Sequence, residues 1–380
     1  MKPMELIARV TLTGGAGLVA AALFAAPAHA SSSGHDHHAR SAVFVQSDNT
    51  SGNTVTAYNR DADGTLTEAN TYSTGGSGGV LDGSVVDHLA SQGSLTYDRG
   101  SRLLYAVNAG SNTITVFAVH GDRLHRLQVV SSGGTFPVSI AARGHLVYVL
   151  NARNGGSIQG FVRLGDHLFR VPSWNRSLGL NPALTPEFTS TPGQVAFTPD
   201  GSKLIVTTKN NLNQIDVFRL GLFGTPSSSP VVTRDPGNVP FAVTFDRSGR
   251  LQVAEAGPNA IATYVVNRDG TLTFTGRVTT GQSATCWITT TGTEVYAGNA
   301  GSGSISRYRA AAAGLIAQGT TATDAGTVDL ALSPDQHNLY AQTGAAGIVD
   351  EFAVGANGAL SEIGSVVVPG AVGGQGIATS

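Results

Sequence analysis

From residue 41 onward, apolar and polar residues alternate in short runs broken by Gly, Asn, Asp and Pro, and no stretch sustains the 3.6-residue period of a helix. This excludes a βαβ protein and predicts strands. The runs recur in a fixed order. A strand such as "SLTYD", "QVAFTPDG" or "AVTFDRSG" leads through a turn into "LLYAVN", "KLIVTT" or "LQVAEA". A Gly/Ser/Asn turn follows, then "TITVFAV", "QIDVFRL" or "AIATYVV", and a more variable fourth strand closes the unit. Three copies of the central hairpin are near-identical: "LLYAVNAGSNTITVF" (103–117), "LVYVLNARNGGSIQGF" (146–161) and "EVYAGNAGSGSISRY" (294–308).

The residue ending the second strand marks the register: Ser47, Asn108, Asn151, Thr208, Glu255, Asn299 and Thr343. Seven units of about 40–60 residues have the period of four-stranded propeller blades. A single such sheet cannot bury both faces, so the units must pack face to face in a ring. The fold expected is all-β, a seven-bladed β-propeller over 41–380. The first unit starts at the second-strand type, "AVFVQS" (42–47), and a spare first strand, "GQGIATS" (374–380), follows the seventh. The C-terminal strand is therefore expected to complete the first blade and remove the open edge.

Ahead of the repeats, "MKPMELIARV" supplies Lys2 and Arg9, an apolar stretch follows, and Ala28-His29-Ala30 reads as a cleavage site. Residues 1–30 are read as a signal peptide, too short for a spanning helix with ordinary flanks, so a secreted, extracellular protein without a membrane span is expected. In "SSSGHDHHAR" (31–40), His35, Asp36, His37 and His38 are metal-compatible side chains. Their Ser/Gly flanks leave nothing to pre-organise them, and the stretch reads as a flexible tether. The chain holds 380 residues, 13% of them charged, with a net charge of −2. That gives no field for nucleic acid. The expected partner is a small-molecule ligand or an extracellular polymer, the expected state a monomer, and no cofactor is called for. No nucleophile elbow, zincin, phosphate-loop or zinc spacing is present.

Strand alternation sorts the polar residues. Second-to-third turns and blade-to-blade links share one face, the mouth of the central channel. His120, His125, His145, His167 and His337 fall on the other face and should be solvated. Two links are long, 73–93 and 174–193. Gly-rich 74–79 favours local disorder, whereas Trp174, Leu178, Leu180 and Phe188 favour an ordered lid. The mouth could offer Asp87, His88, Gln92, Asn108, Arg153, Gln194, Lys209, Glu255 and Asn299. Asn108 and Asn299 are also the residues that hairpin turns prefer. Glu255 stands where other units carry Asn or Thr, so turn chemistry does not require it. Shielded there, it would titrate high and could act as general base; alternatively it pairs with Lys209 or Arg153. Cys286-Trp287 opens a first strand, with no sequence-close His to activate a thiol, and is read as packing.

With the units aligned, residues 41–380 resemble the seven-bladed lactonase family of propeller 6-phosphogluconolactonases and carboxymuconate cyclases. The resemblance rests on "LTYDRGSRLLYAVNAGSNTITVF", "GQVAFTPDGSKLIVTTKNNLNQIDVF" and the "DGTLT" at 63–67 and 269–273. The first of these is similar also to the YVTN-type repeats of surface-layer proteins. The resemblance implies lactone hydrolysis at the channel mouth, with Lys209 or Arg153 polarising the carbonyl and Glu255, with His88, activating water. Asp87, Gln92, Asn108, Arg153, Gln194 and Asn299 would surround the substrate. The family's His-x-His run is here "ASQGS", its Asp-x-Gly-x-Asp turn is Asn108 to Asn112, and its Gly-Pro-Arg-His start is Thr191-Pro192-Gly193-Gln194. Its Asn-Glu falls at Thr208-Lys209, without the Glu. The alternative expectation is a non-catalytic propeller that binds a metabolite, polymer or protein partner.

Overall fold

The computed structural model describes residues 41–380; the leader and tether expected for 1–40 lie outside the described residues. Seven four-stranded antiparallel sheets form the described fold. In chain order the blades span 42–73, 95–131, 137–177, 195–234, 240–279, 285–322 and 327–367. The seven-bladed propeller expected from the repeats is the fold observed. Second and third strands are buried almost throughout, as in Leu103–Asn108 and Ile305 within Ser304–Ala311, because both their faces meet neighbouring blades. Fourth strands such as Arg123–Ser131 are mostly exposed and lie at the rim.

The spare strand closes the ring. Ile377–Thr379 pairs antiparallel with Ala42–Gln46, placing Val43 opposite Thr379 and Val45 opposite Ile377. Gln46 N donates to Gly376 O at 2.8 Å and Ser380 N to Ala42 O at 2.9 Å. First and last residues of the fold thus share one sheet.

A Tyr in three of the second strands ties its blade to the next. Tyr296 Oη donates to Gly358 O and Tyr340 Oη to Gly64 O, both at 2.8 Å, and Tyr148 Oη donates to Gly224 O. Each acceptor sits in the third-to-fourth turn of the following blade, and the Tyr340 bond joins blade 7 to blade 1. These glycines are required there: φ is +94° at Gly64 and +80° at Gly358, and an added Cβ would run into Asn338 or Glu294.

Two expectations about the links are corrected. Trp174 belongs to the long fourth strand His167–Ser177 and stacks on Tyr148 at 6.2 Å rather than forming part of a lid. The glycines at 74–79 are packed, not disordered. Gly78 lies so close to Asp48 that a Cβ would come 2.0 Å from its carbonyl oxygen, and Gly110 N donates to Ser77 O at 3.1 Å. The glycines let one backbone run against another.

Candidate functional site: the channel and its sealed mouth

The long link after blade 1 crosses the mouth of the channel. Ser91 shows where it runs. Its carbonyl accepts from Trp287 Nε1 of blade 6 at 2.7 Å and from Gln375 Nε2, beside blade 1, while its Oγ donates to Val138 O of blade 3 at 2.8 Å. One residue bonded to blades 1, 3 and 6 sits on the ring axis. Its neighbours extend the seal. His88 N donates to Gly373 O at 2.8 Å, and Gln92 N donates to Gly193 O at 3.1 Å.

Lys209 holds this link from blade 4. Buried at 1% exposure, its Nζ donates to Ala90 O at 2.6 Å, to Thr191 Oγ1 at 3.0 Å and to Phe188 O. An ammonium has three donors, and all three are used. Burial pulls Lys209 down to about 7, and the nearby Asp87 carboxylate opposes that pull. Asp87 is itself buried, and burial pushes it up to about 7 against the backbone N–H groups of Ala90 and Leu89, which donate to Oδ1 at 2.9 and 3.1 Å. Cys286, beside this pair, is buried and its thiol is pushed up to about 12.

Glu255 lies elsewhere. Its carboxylate is fully buried and gripped by Arg277 of the same blade's fourth strand: Nη2 donates to Oε1 at 3.0 Å and Nε to Oε2. Asp235 and Tyr264 complete its surroundings, and burial raises it to about 7. The ionisable neighbours of Glu255 are Arg277 and Asp235; those of Lys209 are Asp87, Glu187 and Cys286. The two sets share no member, so the structure does not bring together the base and clamp expected of a lactonase. The partner of Glu255 is Arg277, not the Lys209 or Arg153 expected from the sequence.

Most groups of the remaining candidates are also engaged. His88 is half-buried beside the Asp48 backbone, its Nδ1 without a partner and its pKa lowered by burial. Gln92 bonds both ways to the backbone of Ile288. Asn108 Nδ2 donates to Thr113 Oγ1 at 3.0 Å and Thr115 Oγ1 at 2.9 Å, and Asn299 repeats this with Ser304 and Ser306. Turn chemistry accounts for both. Gln194 Oε1 accepts from Val243 N at 2.6 Å. The five histidines expected to be solvated are exposed.

Two cavities bear on the channel and its mouth. On the mouth face, about 170 Å³ is lined by Arg153, Glu187, Asn181, Asn211, Ser190 and Thr191. Arg153 and Glu187 form a bidentate pair at 2.7 and 2.9 Å that holds the Glu187 carboxyl below its usual range, and Arg153 also caps the Phe136 ring at 4.2 Å. Glu187 carried no signal in the sequence beyond its place in a long link. The second cavity, about 420 Å³, is the channel below the seal. Among the described residues no group of three or more His, Cys, Asp or Glu is placed to hold a metal ion, and no helix is long and apolar enough to cross a membrane.

These features define a seven-bladed propeller with one channel end closed by its own chain. Residues 39–164 match the family described as "Lactonase, 7-bladed beta-propeller", so the resemblance read from the sequence is borne out over that stretch. No curated protein matches the chain in sequence. Among solved structures, a Bacteroides fragilis protein provisionally assigned as a 6-phosphogluconolactonase is similar at 17% identity with a TM-score of 0.72, over 91% of this chain and 99% of its own. A Lactobacillus plantarum protein is similar at 19% identity and TM-score 0.72, over 90% and 99%. The periplasmic gluconolactonase of Pseudomonas aeruginosa is similar at 15% identity and TM-score 0.67, over 89% and 98%. At these identities the likeness is one of fold.

Proposed function

We propose that this chain is a lactonase-type propeller that binds a small molecule without turning it over at the mouth. The observation that carries the reading is Lys209. An ammonium with all three donors committed to Ala90, Phe188 and Thr191 has none left to polarise a substrate carbonyl. The carboxylate expected as base is likewise enclosed by Arg277. A catalytic base must reach the proton it removes, and Glu255 has no exposed surface. The leader-like residues 1–30 support placing this binding outside the cytoplasm.

A second reading has its own support. The family match covers residues 39–164, and the open mouth-face cavity pairs a cation with a carboxylate, Arg153 with Glu187. If lactone opening occurs on this face, it runs there, with Arg153 as clamp and Glu187 as base. The test is proton release from sugar-derived, aliphatic and homoserine lactones, using the full chain and Glu187→Gln. Binding without catalysis predicts no turnover above buffer for either protein. Turnover that the substitution abolishes would replace it with the hydrolase reading.

A further inference from the structure

The channel below the seal carries chemistry that the fold does not use. The apolar part of its wall is built from Leu95, Ile140, Val195, Phe197, Leu330 and Ile377 of the first strands. Three polar groups line the same space with capacity to spare. Asp329 is 4% exposed; its Oδ1 accepts from Leu330 N at 3.0 Å, and burial raises its pKa against the opposing pull of the Leu330 and Ile377 amides. Yet its Oδ2 accepts no hydrogen bond. An unpaired buried acceptor costs roughly 1–3 kcal/mol, so its persistence asks for a donor. Gln194 spends Oε1 on Val243 N, and its Nε2 donates to no other described group. Arg143, at the solvent end of its strand, is exposed and makes no ion pair or side-chain hydrogen bond among the described residues.

We infer that the channel end opposite the sealed mouth is a binding site for a small amphiphilic hydroxy acid, its hydroxyl at Asp329 and Gln194, its apolar body against the channel wall and its carboxylate at Arg143. A hydroxyl both donates and accepts, which matches one free acceptor and one free donor. A guanidinium suits a carboxylate because it presents paired donors. A cavity of about 420 Å³ lined by both apolar side chains and fixed polar groups is of the size small-molecule sites take. The inference rests on the reading that the chain binds rather than hydrolyses, and names the place and class of ligand.

The test is calorimetric titration of the full chain with ω-hydroxyhexanoate and ω-hydroxydecanoate, alongside hexanoate, decanoate and the matching diols. The hydroxy acids should bind best, and loss of either the hydroxyl or the carboxylate should weaken binding roughly ten- to hundred-fold. Asp329→Ala should erase the advantage of the hydroxyl, and Arg143→Gln that of the carboxylate. The ligand series reads both contacts in the unaltered protein, so the result stands if Asp329→Ala folds poorly. No binding by any member, or binding indifferent to both end groups, overturns the site. Lactone turnover at the mouth would overturn the preceding reading instead, and the two failures are distinct.

Discussion

Gln92 and Ile288, 196 residues apart, pair as two strand residues would: Gln92 Nε2 donates to Ile288 O at 3.0 Å, and Gln92 Oε1 accepts from Ile288 N at 2.9 Å. A side-chain amide completes the backbone of blade 6 from a link that leaves blade 1. The seal is therefore part of the ring's hydrogen bonding and not a flap resting on it.

Lys209 is the seal's buried anchor. Replacing it with Met keeps the stem but leaves Ala90 O and Phe188 O without their donor and Asp87 without its cation. Lys209→Met should lower unfolding free energy by about 2–4 kcal/mol, read as a drop in denaturant midpoint at unchanged slope.

Glu255→Gln should act on stability alone. It breaks the bidentate contact with Arg277, which keeps only Asp235 at 3.5 Å. A loss of about 1–3 kcal/mol is expected, while hydroxy-acid affinity in the channel stays at the wild-type value. A shift in affinity would place Glu255 in the binding machinery.

Stability should fall as pH rises from about 4 to 7. Burial raises Asp48 to about 8 and Asp216, Glu255 and Asp329 to about 7. Each folded pKa lies above its unfolded value, so the folded state binds more protons between the two. The stabilisation is complete below the unfolded pKa and is lost as pH climbs through the folded one. Lys209 is depressed, so its neutral form is favoured and stability recovers between about 7 and 10. Thermal midpoints across this range should pass through a minimum near neutrality. A maximum there would contradict the burial of these groups.

Removal of residues 374–380 should unfold the ring and not merely fray its end. It deletes the first strand of blade 1, the Gln375 N–H held by Asp48 Oδ2 at 2.8 Å, and the Gln375 contact to Ser91. Loss of a cooperative transition is expected. A truncated chain that still unfolds cooperatively near the full-length midpoint would show that closure does not depend on this strand.

Much of this fold was legible in the sequence because the blade repeats its chemistry. Asn108 and Asn299 occupy the same slot and make the same bonds to the strand that follows, and the leftover "GQGIATS" could pair only where a strand was missing. Which face each turn occupies followed from strand alternation alone, and the five solvated histidines fell where expected. The site was legible only as a list. Ala90, Ser91 and Gln92 are ordinary link residues, and their role arises where blades far apart in sequence converge on one axis. Glu255 was visible as an odd residue in its register, but its partner Arg277 lies two strands later on the rim side, away from the channel where a partner was sought. Asp329 and Arg143 gave no signal, since a free acceptor and a free guanidinium are properties of packing, not of spacing.

The most direct test of the central claim, a propeller mouth sealed by its own chain, is amide hydrogen exchange over residues 86–93 in the full chain. Leu89, Ala90 and Ser91 N–H donate to Asp87 and Gln375 side chains, and His88 and Gln92 N–H to the backbone. These amides should exchange as slowly as those of the buried second strands, through global unfolding. Exchange on the timescale of an exposed loop would show that the mouth stands open, and would return Lys209 and Asp87 to solvent and to chemistry.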